Sequence, residues 1–182
     1  FGMTALDIAV ALNQDMIIYD LIDDYGASYK KPNVITRNTP LHIAAACGNE
    51  DALGILLQYD EHLVYDKNNA GNTPLHLAAR HNKFEVVQKL IRAGAPVAIV
   101  NNEGQMPVHM AAMHGGVESI DALLKVSPVE ASHVDRHGNT PAILAMQAGH
   151  IEAAKRLFQH CPGAKLCVSV DGAMSNVYPI QK

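Results

Sequence analysis

No run of apolar residues in this 182-residue chain approaches the length of about 18 that a membrane-crossing helix needs, so membrane insertion is not expected. There is no long basic run either. With a net charge of -4, nucleic acid is disfavoured as the main partner. Cysteine is scarce. The three present, Cys47, Cys161 and Cys167, are an odd number without zinc-ligand spacing, which argues against a disulfide framework and for a reducing compartment. No glycine-rich phosphate loop, no His-Glu-x-x-His and no motif-placed pair of carboxylates is found. No signal peptide is seen, and the chain opens at Phe1 rather than Met, as expected of an excised fragment or processed product.

What is present is repetition. TPLHIAAA from Thr39, TPLHLAAR from Thr73, MPVHMAAM from Met106 and TPAILAMQ from Thr140 are variants of one phrase, and TALDIAVA from Thr4 is a fainter fifth. The starts lie 35, 34, 33 and 34 residues apart. A period of that length marks a stacked array in which each unit buries its apolar face against the next. An apolar share of 48% is ordinary for a packed protein.

The unit at 69–101 shows the local logic. Gly71 supplies a turn residue able to take positive φ. Thr73 is placed to cap a helix, and Pro74 sits at its first position, where a missing N–H is harmless. Leu75, Ala78 and Ala79 give a short helix a small-residue face, and Asn82-Lys83 breaks it. Phe84, Val86, Val87, Leu90 and Ile91 then recur at helical spacing, and Gly94 ends this second helix. The same plan predicts second helices over Glu50–Leu57, Val117–Leu124 and Ile151–Phe158, with Ile17, Ile18, Leu21 and Ile22 filling those places in the first unit.

The phrase T-P-L-H-x-A-A, followed by Gly or Asn, a second apolar helix and a Gly-containing hairpin, resembles the ankyrin repeat. The resemblance covers residues 2 to about 168, with full matches at Thr39 and Thr73. The fourth unit departs at Met106 and Val108 and the fifth at Ala142 and Ile143. The first has Ala5 and Asp7 where the family has proline and histidine. The implied fold is a mainly α solenoid, a row of helix–turn–helix units joined by hairpin-like loops, with hairpin tips and first helices lining a concave groove. The units run about 1–34, 35–68, 69–101, 102–135 and 136–168, and 169–182 is a tail or a partial sixth repeat. Residues 161–173 read as that sixth unit's hairpin arm. The segments Asp60–Asp66 and Ser127–Asp135 depart from the usual hairpin.

The resemblance implies a non-enzymatic module that binds another protein, without a cofactor, and acts as a monomer. Partners of such arrays meet the hairpin tips and the first-helix positions just past the alanine pair. Here the tips are Asn69 and Asn72, then Asn102, Glu103 and Gln105, then Arg136, His137 and Asn139. The helix positions are Arg80 and His81, Met113 and His114, and Gln147. Arg80, His81, Met113 and His114 are the expected centre, since Arg and Met are favoured there. The expected setting is intracellular and cytoplasmic, or the cytoplasm of a host cell if the parent is a bacterial effector. Two other readings stand beside this one: a substrate-recruiting domain of a larger enzyme or secreted effector, and a structural spacer.

Formal charge alternates along the units as -3, -3, +3, -4 and +3, either attracting neighbours or merely solvating the surface. Ten histidines raise the question of metal. His42, His76 and His109, like His81 and His114, recur one repeat apart. That is about 10 Å for packed helices, too wide for a zinc ion whose ligands lie ~2 Å away. The first three are expected to bond backbone between units. Cys47 shows no partner base and is expected to be a small buried hydrophobe.

Overall fold

The computed structural model of the chain describes residues 2–160, together with the backbone of 167–168 and 174–175. Ten α-helices form five pairs: α1 (Ala5–Ala11) with α2 (Asp15–Asp23), α3 (Pro40–Cys47) with α4 (Glu50–Tyr59), α5 (Pro74–Arg80) with α6 (Phe84–Arg92), α7 (Pro107–Met113) with α8 (Val117–Val126), and α9 (Pro141–Gln147) with α10 (Ile151–His160). Two short strands, β1 (Cys167–Val168) and β2 (Met174–Ser175), pair antiparallel. The rest of the expected sixth-unit arm, and any pairing of Cys161 with Cys167, lie outside the described residues.

Each first helix is punctuated by chemistry at both ends. Proline stands at the first position of α3, α5, α7 and α9. Just past the C-terminus of all five, one residue turns to positive φ: Asn13, Gly48, Asn82, Gly115 and Gly149. Asn tolerates that left-handed geometry better than other non-glycine residues. The helices α4, α8 and α10 each run two residues beyond their expected ends.

The first helices pack against one another in the order α1, α3, α5, α7, α9, and the second helices in parallel as α2, α4, α6, α8, α10. Packing is closer along the first row. The cause is side-chain size. Ala44, Ala45, Ala78, Ala79, Ala111 and Ala112 are fully buried there, whereas the second row buries Leu53, Leu56, Leu90, Ile120 and Leu124. One apolar cluster runs unbroken from Leu6 to Leu157.

Two expectations are corrected here. Ile17 does not fill a core position: it is 48% exposed, while its equivalents Ala52, Val86, Ser119 and Ala153 are at most 1% exposed. Those four are covered by the preceding helix pair, and no preceding pair lies against Ile17 in the described residues. Cys47 is exposed, not buried, and is the last residue of α3, beyond the buried alanine pair. The irregular arms depart from the usual hairpin in one way. Each is a turn of 3-10 helix (Glu61–Tyr65 and Pro128–Ser132) that tucks Leu63, Val64 and Ala131 under the neighbouring helices.

The charge alternation does join units. Lys89 of the third unit meets Glu50 of the second at 3.0 Å, and Arg156 of the fifth meets Asp121 of the fourth at 3.3 Å. These groups are more than a third exposed, so each pair contributes only ~0–1 kcal/mol.

Candidate binding surface

The surface rests on two hydrogen-bond systems, one built on buried histidines and one running through the hairpins. The first is a histidine bridge. Nδ1 of His42 accepts the Thr39 backbone N–H at 3.2 Å, which leaves the proton on Nε2, and Nε2–H donates to the Asn72 carbonyl at 2.9 Å. His76 repeats this from Thr73 to the Gln105 carbonyl at 3.0 Å, and His109 from Met106 to the His133 carbonyl at 3.2 Å. Each ring closes a helix cap; His42 and His76 also tie two units, whereas His109, expected to do the same, turns to a carbonyl of its own unit. Burial holds all three imidazoles down to about 4, despite the carbonyls that favour their charged form.

The second system is a ladder through the hairpins. Asn68 Oδ1 accepts from the backbone N–H groups of Ala70 and Asn72, and Asn101 Oδ1 does the same for Glu103 and Gln105. Asp135 takes this place in the next hairpin, accepting from His137 and Asn139. Burial opposes its charge, but those N–H groups outweigh burial and hold its carboxyl below the usual range. Successive tips are joined by main chain at 3.0 Å: Asn69 N–H to Thr36, Asn102 N–H to Ala70, and Arg136 N–H to Glu103. Gly71 is required twice over. Its φ is +73°, and a Cβ there would lie 2.8 Å from the Asn102 nitrogen.

This ladder sorts the residues expected at the surface. Asn69, Arg80, His81, Asn102, Glu103, His114, Arg136, His137 and Gln147 are exposed, while Met113 and Asn139 are half-buried. Asn72 and Gln105 are not surface residues, at 4% and 9% exposed. Asn72 Oδ1 accepts from Asn101, and Gln105 Nε2 points at the Met113 sulfur at 3.8 Å. Both lie on the inward strand of the hairpin rather than its tip. The structure thus groups Arg80 and His81 with Met113 and His114, the ends of adjacent first helices. Partial burial, then the positive charge of Arg80, hold His81 below the usual imidazole range, so Arg80 carries the charge of that pair at neutral pH. Glu103 and His137 pair across neighbouring tips at 3.4 Å.

Sequence reasoning missed the equivalent positions in the first two units. Leu12 and Cys47 occupy the place of His81, and Ile35 that of Asn69. Leu12 and Ile35 are 64% and 63% exposed. The signal was available: Leu12, Cys47 and His81 each lie eight residues past their own threonine, Thr4, Thr39 and Thr73.

Among the described residues no group of three His, Cys, Asp or Glu side chains could hold a metal ion, and no helix is long and apolar enough to cross a membrane.

The stacked pairs, the threonine–histidine caps and the tip ladder are those of ankyrin repeats, and the chain belongs to that family. The sequence model described as ankyrin repeats (3 copies) matches residues 6–101 and 82–169. The chain is 39% identical over 124 residues to the probable 26S proteasome regulatory subunit p28 of Saccharomyces cerevisiae, covering 66% of this chain and 54% of that protein. It is 36% identical over 86 residues to a transient receptor potential cation channel subfamily A member 1 homolog of Caenorhabditis elegans, covering 47% of this chain and 7% of the channel. It is also 33% identical over 98 residues to the nuclear factor NF-kappa-B p105 subunit of Rattus norvegicus, covering 52% of this chain and 10% of that one. The chain therefore spans about half of p28 and a tenth or less of the other two. Ankyrin repeats are generally protein–protein interaction modules.

Proposed function

We propose that the chain is a non-enzymatic module that grips another protein along the side formed by its first-helix ends and hairpin tips. Closer packing of the first helices inclines the row toward them and makes this the inner face. One observation carries the reading: exposed side chains at Arg80, His81, His114 and the tips, with Met113 half-buried among them, stand on a backbone tied by inter-unit hydrogen bonds. A surface already ordered loses little entropy on binding, which favours affinity.

The test is co-purification from a native host with Arg80, His81, Met113 and His114 all changed to alanine. The variant should melt like the parent and lose the partner. An unchanged set of captured proteins would instead support a spacer that does not use this face.

A further inference from the structure

The first hairpin differs from those that follow it in length, in side chains and in backbone. The tip ladder fixes the alignment. Asn69 donates its N–H to the Thr36 carbonyl and its side-chain amide to the Ile35 carbonyl, and Asn102 does the same to Ala70 and Asn69. Thr36 therefore matches Ala70, Ile35 matches Asn69 and Arg37 matches Gly71. Asn33 closes onto the Asn38 carbonyl at 2.8 Å as Asn68 closes onto that of Asn72 at 3.0 Å. Val34 is left over, one residue inserted between Asn33 and Ile35. Two β-branched side chains stand out at the insertion, Val34 at 77% exposed and Ile35 at 63%, and Thr36 and Arg37 beside them are exposed too. Arg37 holds φ at +57°, in the place that Gly71, Gly104 and Gly138 take in the later hairpins. A side chain there costs backbone strain that glycine avoids. Strain of this kind clusters at sites that use the residue. Among the described residues no carboxylate pairs with Arg37. From Tyr25 to Asn49 the sequence holds Lys30, Lys31 and Arg37 and no acid, in a chain whose net charge is -4.

We propose that this tip, Val34-Ile35-Thr36-Arg37, is a specificity element that inserts into an apolar recess of a partner protein, where a carboxylate at the rim meets Arg37. This rests on the hairpin tips being part of the docking surface. Val and Ile have few rotamers to lose, so burying them costs little side-chain entropy. A guanidinium meets a carboxylate through paired N–H donors in a fixed plane, which sets the orientation of the tip as well as adding affinity. The inserted residue and the strained arginine are then features of recognition, which the later hairpins hold the array together without.

The test places photo-leucine in the intact chain at Ile35, and separately at Asn102. Each is irradiated in native-host extract, and the cross-linked peptides are sequenced by mass spectrometry. The Ile35 probe should mark a protein at an apolar segment with Asp or Glu within a few positions. Its yield should fall at least tenfold for Arg37→Glu and for Val34→Asp. Arg37→Gly should also cut the yield while the melting temperature holds or rises, because glycine suits that backbone. A fall of more than about 3 °C would make Arg37 a structural residue and overturn the proposal. Marked segments without acids, or a yield unchanged by Arg37→Glu, overturn it as well. Cross-links from Asn102 but not from Ile35 would remove the first tip and leave docking on the inner face standing. Cross-links from neither would end both readings. Flotation of the parent with phosphatidylcholine–phosphatidylserine vesicles, lost in Val34→Asp, would assign the tip to a lipid surface and overturn the protein recess.

Discussion

The middle of the array and its first unit solve the same problem with different side chains. In the second and third units a histidine caps its own helix with one nitrogen and reaches a neighbouring unit's carbonyl with the other, while His109 of the fourth caps its helix and bonds the His133 carbonyl of its own unit. In the first unit Asp7 holds that place. Its Oδ2 accepts the Thr4 N–H at 2.8 Å and so closes the cap, but the side chain is too short to cross to the next unit. Its Oδ1 is buried without a hydrogen-bond partner. The cap and the bridge are thus separable functions of one residue. The first junction has kept the cap, and Asn49 supplies a substitute tie by donating to the carbonyls of Val10 and Ala11 at 2.8 and 2.9 Å.

Acid should break the comparison most strongly. The three capping imidazoles sit at about 4, below the ordinary unfolded value of roughly 6.5. Between those limits the unfolded chain binds more protons, so stability falls as pH falls, by up to several kcal/mol for the three together. The melting temperature should be level above pH 7 and drop between about pH 6.5 and 4. His76→Gln should flatten that drop. A melting temperature independent of pH across this range would refute the burial of neutral rings.

Core truncation comes next. Leu75→Ala should cost roughly 2–5 kcal/mol, since Leu75 is fully buried with neighbours on both sides. Leu6→Ala removes an equivalent side chain in the first unit. Hydrogen exchange should show the Leu75 damage spreading to the second and fourth units, and the Leu6 damage spreading only to the second. Equal spread from both would show that the units do not couple through nearest neighbours.

Asp7→His sharpens the contrast. By analogy with His42, the new ring would cap Thr4, donate to the Asn38 carbonyl and remove the unpartnered oxygen. The expected gain is about 1 kcal/mol in denaturant unfolding, and no gain would mean that a bridge needs more than the right residue. Asn102→Ala should have the smallest effect. It removes one exposed bond from the Asn102 amide to the Asn69 carbonyl, at 2.9 Å, and should shift melting by no more than a degree or two.

The fold was legible because a repeat states its own alignment. Thr39, Thr73 and Thr140 fell where the helices begin, and His42 and His76 bridged units as their recurrence suggested, whereas His109 bonded within its own unit. Surface assignment was harder, and the reason is local. Asn72 and Gln105 sit one residue before the cap, which by spacing resembles a tip, but the side chains of Asn68 and Asn101 fold the hairpin so that this residue turns inward. Cys47 misled in the opposite direction. Its residue type suggests an interior, whereas its position, shared with His81 and Leu12, places it outside. In a tandem array, position is the better guide to exposure than residue type.

The tip-to-tip ladder has a consequence for how such a protein changes over generations. Its rungs are peptide groups plus one Asn or Asp per hairpin, so the side chains beside them are not needed to hold the array together. Ile35, Asn69, Asn102 and Arg136 already show an aliphatic, two amides and a cation at one equivalent place. Specificity can drift residue by residue while the scaffold stays constant, which makes each hairpin an independently writable letter in whatever word the partner reads.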